Sequence, residues 1–143
     1  MTTISTIQKD HHHMVRNQDI QKQYELRKKE ILQKYATLDD YIRVHVLKYS
    51  KKKNSYNLYT AIKSEKSLPF AFVPNAFPYK VGTKIQHYTL FSEKPLSKQE
   101  TTLLLEKLLP KDSTFTFFVN AIHKRSLPSL WHAQVFWHQK IHV

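Results

Sequence analysis

The residues best suited to chemistry lie in the second half of the chain. Asn75-Ala76-Phe77-Pro78-Tyr79 is followed by His87, and Asn120 precedes Ser126-Leu127-Pro128, His132 and Gln134. A strand histidine with a hydrogen-bonding side chain two residues on, and so on the same face, suits phosphoryl or nucleotidyl transfer. In that reading His132 attacks phosphorus while Gln134 holds a phosphate oxygen. The plainer use of the same residue is a strand histidine satisfied by a backbone carbonyl, and that use is preferred. His87, His132, His138 and His142 are metal-ligand types, but carboxylates are sparse around them. His11, His12 and His13 are adjacent, so on a helix they spread over different faces and do not close on one ion. No metal site, no cofactor and no catalytic residue is expected.

A second kind of chemistry is ionic. The chain has 143 residues with 23 Lys and Arg against 11 Asp and Glu, a net charge of +12, and its pI is near 9.8. Surplus lysine can serve solubility alone, but an excess this large suits a polyanion, because each cation that displaces a counterion from a phosphate backbone adds affinity. Lys28 and Lys29, Lys51-Lys52-Lys53, and Lys124 with Arg125 are the candidate phosphate contacts. Tyr49, Tyr56 and Tyr59 flank the three-lysine run, and tyrosines stack on bases where lysines hold phosphates. Folded RNA is the expected partner. Gly82 is the only glycine, which excludes Gly-rich phosphate loops and with them the common NTPase and dinucleotide-binding readings. With no cysteine there are no disulfides and no thiolate sites. No apolar run approaches the ~18 residues of a spanning helix and no secretory h-region opens the chain, so a cytoplasmic protein with no membrane partner is expected.

These residues need elements to position them. Residues 1–16 show no sustained period and read as an extended or weakly ordered arm; 17–143 read as one domain, helical over 17–66 and sheet-forming over 67–143. Ile20, Tyr24, Ile31 and Tyr35 make a helical stripe. Thr37 or Asp39 caps a second helix that continues through Tyr41, Val44, Leu47 and Lys48 and ends in the three lysines. Three prolines hold 68–80 extended. Strands are expected at Lys84–Phe91, Thr114–Asn120 and Trp131–His138. Between the first two lies a helix opened by a Ser97/Glu100 capping box, with Leu96 as staple and Leu103, Leu104 and Leu108 facing inward. The expected fold is α+β, with N-terminal helices packed on a small, mainly antiparallel sheet plus one further helix.

Two resemblances rest on these motifs. The His132/Gln134 strand resembles that of the histidine-triad and galactose-1-phosphate uridylyltransferase superfamily, but position 130, where a first histidine would stand, is Leu. More broadly, Asn75, Phe77, Pro78, Tyr79, His87, Val119, Asn120, Ser126, Pro128, His132 and Val135 resemble a eukaryotic, mostly fungal family of uncharacterised domains that includes the N-acetylglucosamine-induced proteins. The match covers mainly residues 69–138. It departs at Ala121, where Pro is preferred, at Leu127, and at Gln134, where His is usual. Small size and strong basicity make the chain look like a compact member of the microsporidian dormancy-factor type. That resemblance implies a non-catalytic plug on the ribosome, touching rRNA and proteins of both subunits at the tRNA exit site. Asn75 to Tyr79, His87, Asn120, Ser126 and His132 would then form the family's shared surface.

Overall fold

Four polar side chains set where the helices begin. Thr3, Asn17, Thr37 and Ser97 each accept from a backbone N–H of the first turn, satisfying donors that the helix itself leaves unpaired. The structure is a computed structural model and describes residues 2–11, 14–120 and 127–140. The helices they open are α1 (Ile4–Asp10), α2 (Gln18–Leu32), α3 (Leu38–His45) and α4 (Lys98–Leu108). Strands are β1 (Ser50–Lys53), β2 (Tyr59–Ile62), β3 (Phe70–Pro74), β4 (Gln86–Ser92), β5 (Ser113–Phe118) and β6 (Trp131–Gln139). β1 and β2 form a hairpin, and the other four make one antiparallel sheet in the order β3-β4-β6-β5. The fold is α+β.

Alternation along β4 and β6 assigns the two faces of that sheet. Leu90, Ala133 and Val135 point to one side and pack with Leu105 and Leu109 of α4. Thr89 stands opposite Gln134, His87 opposite Phe136, and Phe91 opposite His132 on the other side. That second face is covered in two places. Ile4 and Ile7 of α1 cluster with Val81, Ile85, Phe118 and Phe136. Leu38, Ile42 and Val46 pack near Leu47, Phe91, Leu127 and Leu130.

The structure corrects the sequence reading at three places. Within the expected N-terminal arm, residues 4–10 form α1, because Ile4 and Ile7, three apart on one helix face, find an apolar surface on the sheet; Ile7 is 1% exposed. Lys51, Lys52 and Lys53 are β1 and not a helix end. Leu47 is wholly buried, Lys48 turns through a positive φ of 63°, and the chain reverses to pair Lys53 with Tyr59. On α4, the capping box forms as expected, but Leu103 and Leu108 are exposed and the buried stripe runs Thr101, Leu105, Leu109. Thr101 tolerates burial because its hydroxyl donates to the Ser97 carbonyl at 2.8 Å.

Candidate functional site

Two features collect the polar and cationic side chains: the β1–β2 hairpin and a cavity between the helices and the sheet. In the hairpin, Asn54 Oδ1 accepts from the N–H of Tyr56 at 2.9 Å and of Leu58 at 3.1 Å, and Asn57 takes a positive φ of 63°. This Asx turn holds the tip open and leaves Tyr56 82% exposed. Lys51 and Lys53, two apart, share a face and lie over the Tyr59 ring at 4.3 and 5.3 Å, whereas Lys52 points to the other side. All three lysines are exposed. The hairpin is fastened at its base: Tyr59 N–H donates to the Lys34 carbonyl, Ala36 N–H to the Tyr59 carbonyl, and Ala61 N–H to Asp40 Oδ1 at 2.9 Å.

The cavity holds about 400 Å³ and lies among α2, α3 and the second face of the sheet. Its floor is a hydrogen-bonded set from three neighbouring chain segments. Asn75 Nδ2 donates to Thr89 Oγ1 at 3.0 Å and to Gln134 Oε1 at 3.3 Å, and Asn75 Oδ1 accepts from Phe77 N–H at 2.8 Å. His87 Nδ1 accepts from Tyr79 N–H at 3.0 Å, so its proton sits on Nε2, which donates to Gln134 Oε1 at 2.6 Å. Burial, offset by the Gln134 bond and reinforced by the nearby Arg16 charge, lowers the His87 pKa to about 4. This histidine is therefore neutral at physiological pH.

Arg16, Arg27 and Lys28 stand at the rim. Arg16 donates from Nε to the Phe77 carbonyl at 2.7 Å, and its guanidinium lies over the rings of Tyr24 at 4.2 Å and Tyr79 at 4.9 Å. Arg27 bonds Glu30 and the Tyr41 hydroxyl, each at 3.1 Å, and Lys28 faces Glu25 at 3.5 Å. Among the described residues, no Asp or Glu lines the cavity.

The two features divide the candidate residues. Lys51, Lys52, Lys53 and Tyr56 come together on the hairpin. Lys28 belongs to the cavity rim, and Lys29 is exposed on α2, separate from it. Asn75, Phe77, Tyr79, Asn120 and His132 line the cavity. His87 braces its floor from behind, and Pro78 is exposed in the loop that carries Tyr79. The family's motif residues thus converge around a cavity, not on an outer surface. Lys124, Arg125 and Ser126 lie outside the described residues. His132 Nδ1 lies 3.1 Å from the Leu130 carbonyl, which is the carbonyl-bonded strand histidine of the plainer reading. Sequence reasoning missed Arg16, Arg27 and Thr89. Arg16 sits in a segment without periodicity, and nothing local marks its approach to Phe77, 61 residues away.

A family model described as "Protein of unknown function (DUF3605)" matches residues 3–140, almost the whole chain. The chain belongs to the DUF3605 family. A search of curated proteins found no match. The DUF3605 chain is similar in fold to a solved structure titled "Crystal Structure of HTC1", with a TM-score of 0.61 and 18% identity over 96% of this chain and 83% of the other. At that identity the likeness concerns the fold alone. Among the described residues of this DUF3605 chain, no helix is long and apolar enough to cross a membrane.

Proposed function

We propose that this DUF3605 chain is a ribosome-bound dormancy factor of the cytoplasm, a non-catalytic plug that binds rRNA at a tRNA exit-site position and stops translation. The observation that carries RNA binding is the hairpin: three exposed lysines and an 82% exposed Tyr56 on one well-anchored element. Lysines there reach phosphates while the tyrosine offers a free ring to an unstacked base. The step from RNA to the ribosome, and to contacts with proteins of both subunits, is supported by the motif resemblance to the dormancy-factor type. A phosphoryl-transfer reading draws on His132 and Gln134 lining one cavity. However, Gln134 Oε1 is already shared by His87 and Asn75, and the His132 ring is aligned on a carbonyl.

The test is co-sedimentation with ribosomes at fixed salt, comparing the native chain with the triple variant Lys51→Glu, Lys52→Glu, Lys53→Glu. Loss of three phosphate contacts and their replacement by repulsion should weaken binding by about tenfold or more. Equal sedimentation of both proteins, or none by the native chain, refutes the proposal.

A further inference from the structure

The cavity is built to receive something the hairpin does not. Gln134 is 7% exposed and lines it. Because His87 needs an acceptor, the Gln134 carbonyl oxygen turns toward His87 and Asn75. Among the described residues the amide nitrogen has no hydrogen-bond partner, so its two N–H donors are left to be satisfied at the cavity that Gln134 lines. Thr89 is in the same position: its oxygen accepts from Asn75, which leaves its hydroxyl hydrogen to donate. Both floor groups therefore present donors. The rim adds Arg16, Arg27 and Lys28; Glu30 and Glu25 pair with the last two from outside the lining, and among the described residues no acid lines the cavity itself. A donor floor beneath a cationic rim selects an acceptor-rich anion.

The walls narrow the class. Phe77, Tyr79, Phe91, Tyr24 and Tyr41 line the space between floor and rim, and aromatic walls favour a flat ring. A volume of about 400 Å³ falls within the range of small-molecule sites and accommodates one ring system with a short charged tail. We infer that this cavity binds a nucleoside monophosphate, with its base against the aromatic walls and floor donors and its phosphate at the Arg16 and Lys28 rim. The site is separate from the hairpin and needs no reaction at His132. It also stands independently of ribosome binding.

The experiment is calorimetric titration of the full chain with AMP, GMP, CMP and UMP, and with inorganic phosphate and the parent nucleosides. Lys28→Ala removes a half-buried rim cation and Thr89→Val removes a floor donor at nearly constant shape; thermal melts check that both fold. At least one nucleotide should bind saturably, and each variant should weaken it by about tenfold. The hairpin variant Lys51→Glu, Lys52→Glu, Lys53→Glu should bind it unchanged. Absence of binding by all four nucleotides at about 1 mM overturns the inference. So does binding that survives both cavity variants but vanishes in the hairpin variant, or phosphate alone binding as tightly as the nucleotide.

Discussion

His87 sits between two partners with opposite demands, the Tyr79 N–H on Nδ1 and the Gln134 carbonyl oxygen on Nε2. Adding a proton to Nδ1 would break the first bond and bury a charge beside Arg16. With a folded-state pKa of about 4 against an ordinary 6.5, the unfolded chain takes up this proton first as pH falls. Stability from this group is complete above about pH 6.5 and is lost progressively down to about pH 4, by roughly 3 kcal/mol in all. Urea midpoints measured at pH 7 and pH 4.5 should therefore differ more for the native chain than for His87→Gln. An equal difference in both would show that other groups set the acid limb. His87 and Gln134 are visible in the sequence as strand residues of alternating pattern, but not as partners. They are 47 residues apart, and only the register of β4 against β6 brings them to 2.6 Å.

Elements differ in how much of their stability is local. α4 is specified from within: Ser97 and Glu100 close a capping box whose geometry needs only four consecutive residues. α1 is specified from outside. Seven residues are too short to hold a helix alone, and its stability comes from Ile4 and Ile7 seated against Phe118 and Phe136. Ile7→Ala should cost about 2–4 kcal/mol and increase amide exchange throughout residues 4–10. A loss well below about 1 kcal/mol by urea titration would mean that α1 is not docked. The hairpin follows the same logic as α1. Four residues reading Ser-Lys-Lys-Lys have no strand signature, so β1 exists because β2 pairs with it and α3 holds β2 through Asp40.

For the molecule as a whole, the charge of +12 is distributed: the exposed hairpin lysines carry one part of it, and Arg16, Arg27 and Lys28 at the cavity rim carry another. Part of it is spent in i,i+3 pairs such as Arg27 with Glu30, while the hairpin lysines form no ion pairs among the described residues. RNA affinity should then be steeply salt-dependent: with three phosphates neutralised and a slope of about 0.7–0.9 per phosphate, it falls roughly 20- to 40-fold between about 50 and about 200 mM salt. Filter binding to purified rRNA across that range checks this, and a flat response would sink electrostatic recognition. By itself the sequence determined the α+β class, β4, β5, β6, the start of α4 and the net positive charge. Each is a local pattern or a plain sum over residues. Tertiary structure alone decided that α1 docks, that the lysine run becomes a hairpin, and that the Asn75–Tyr79 loop, Thr89 and Gln134 surround a cavity. Those outcomes depend on which distant surfaces are left open for a segment to cover, and residues far apart in the chain carry no local mark of their meeting.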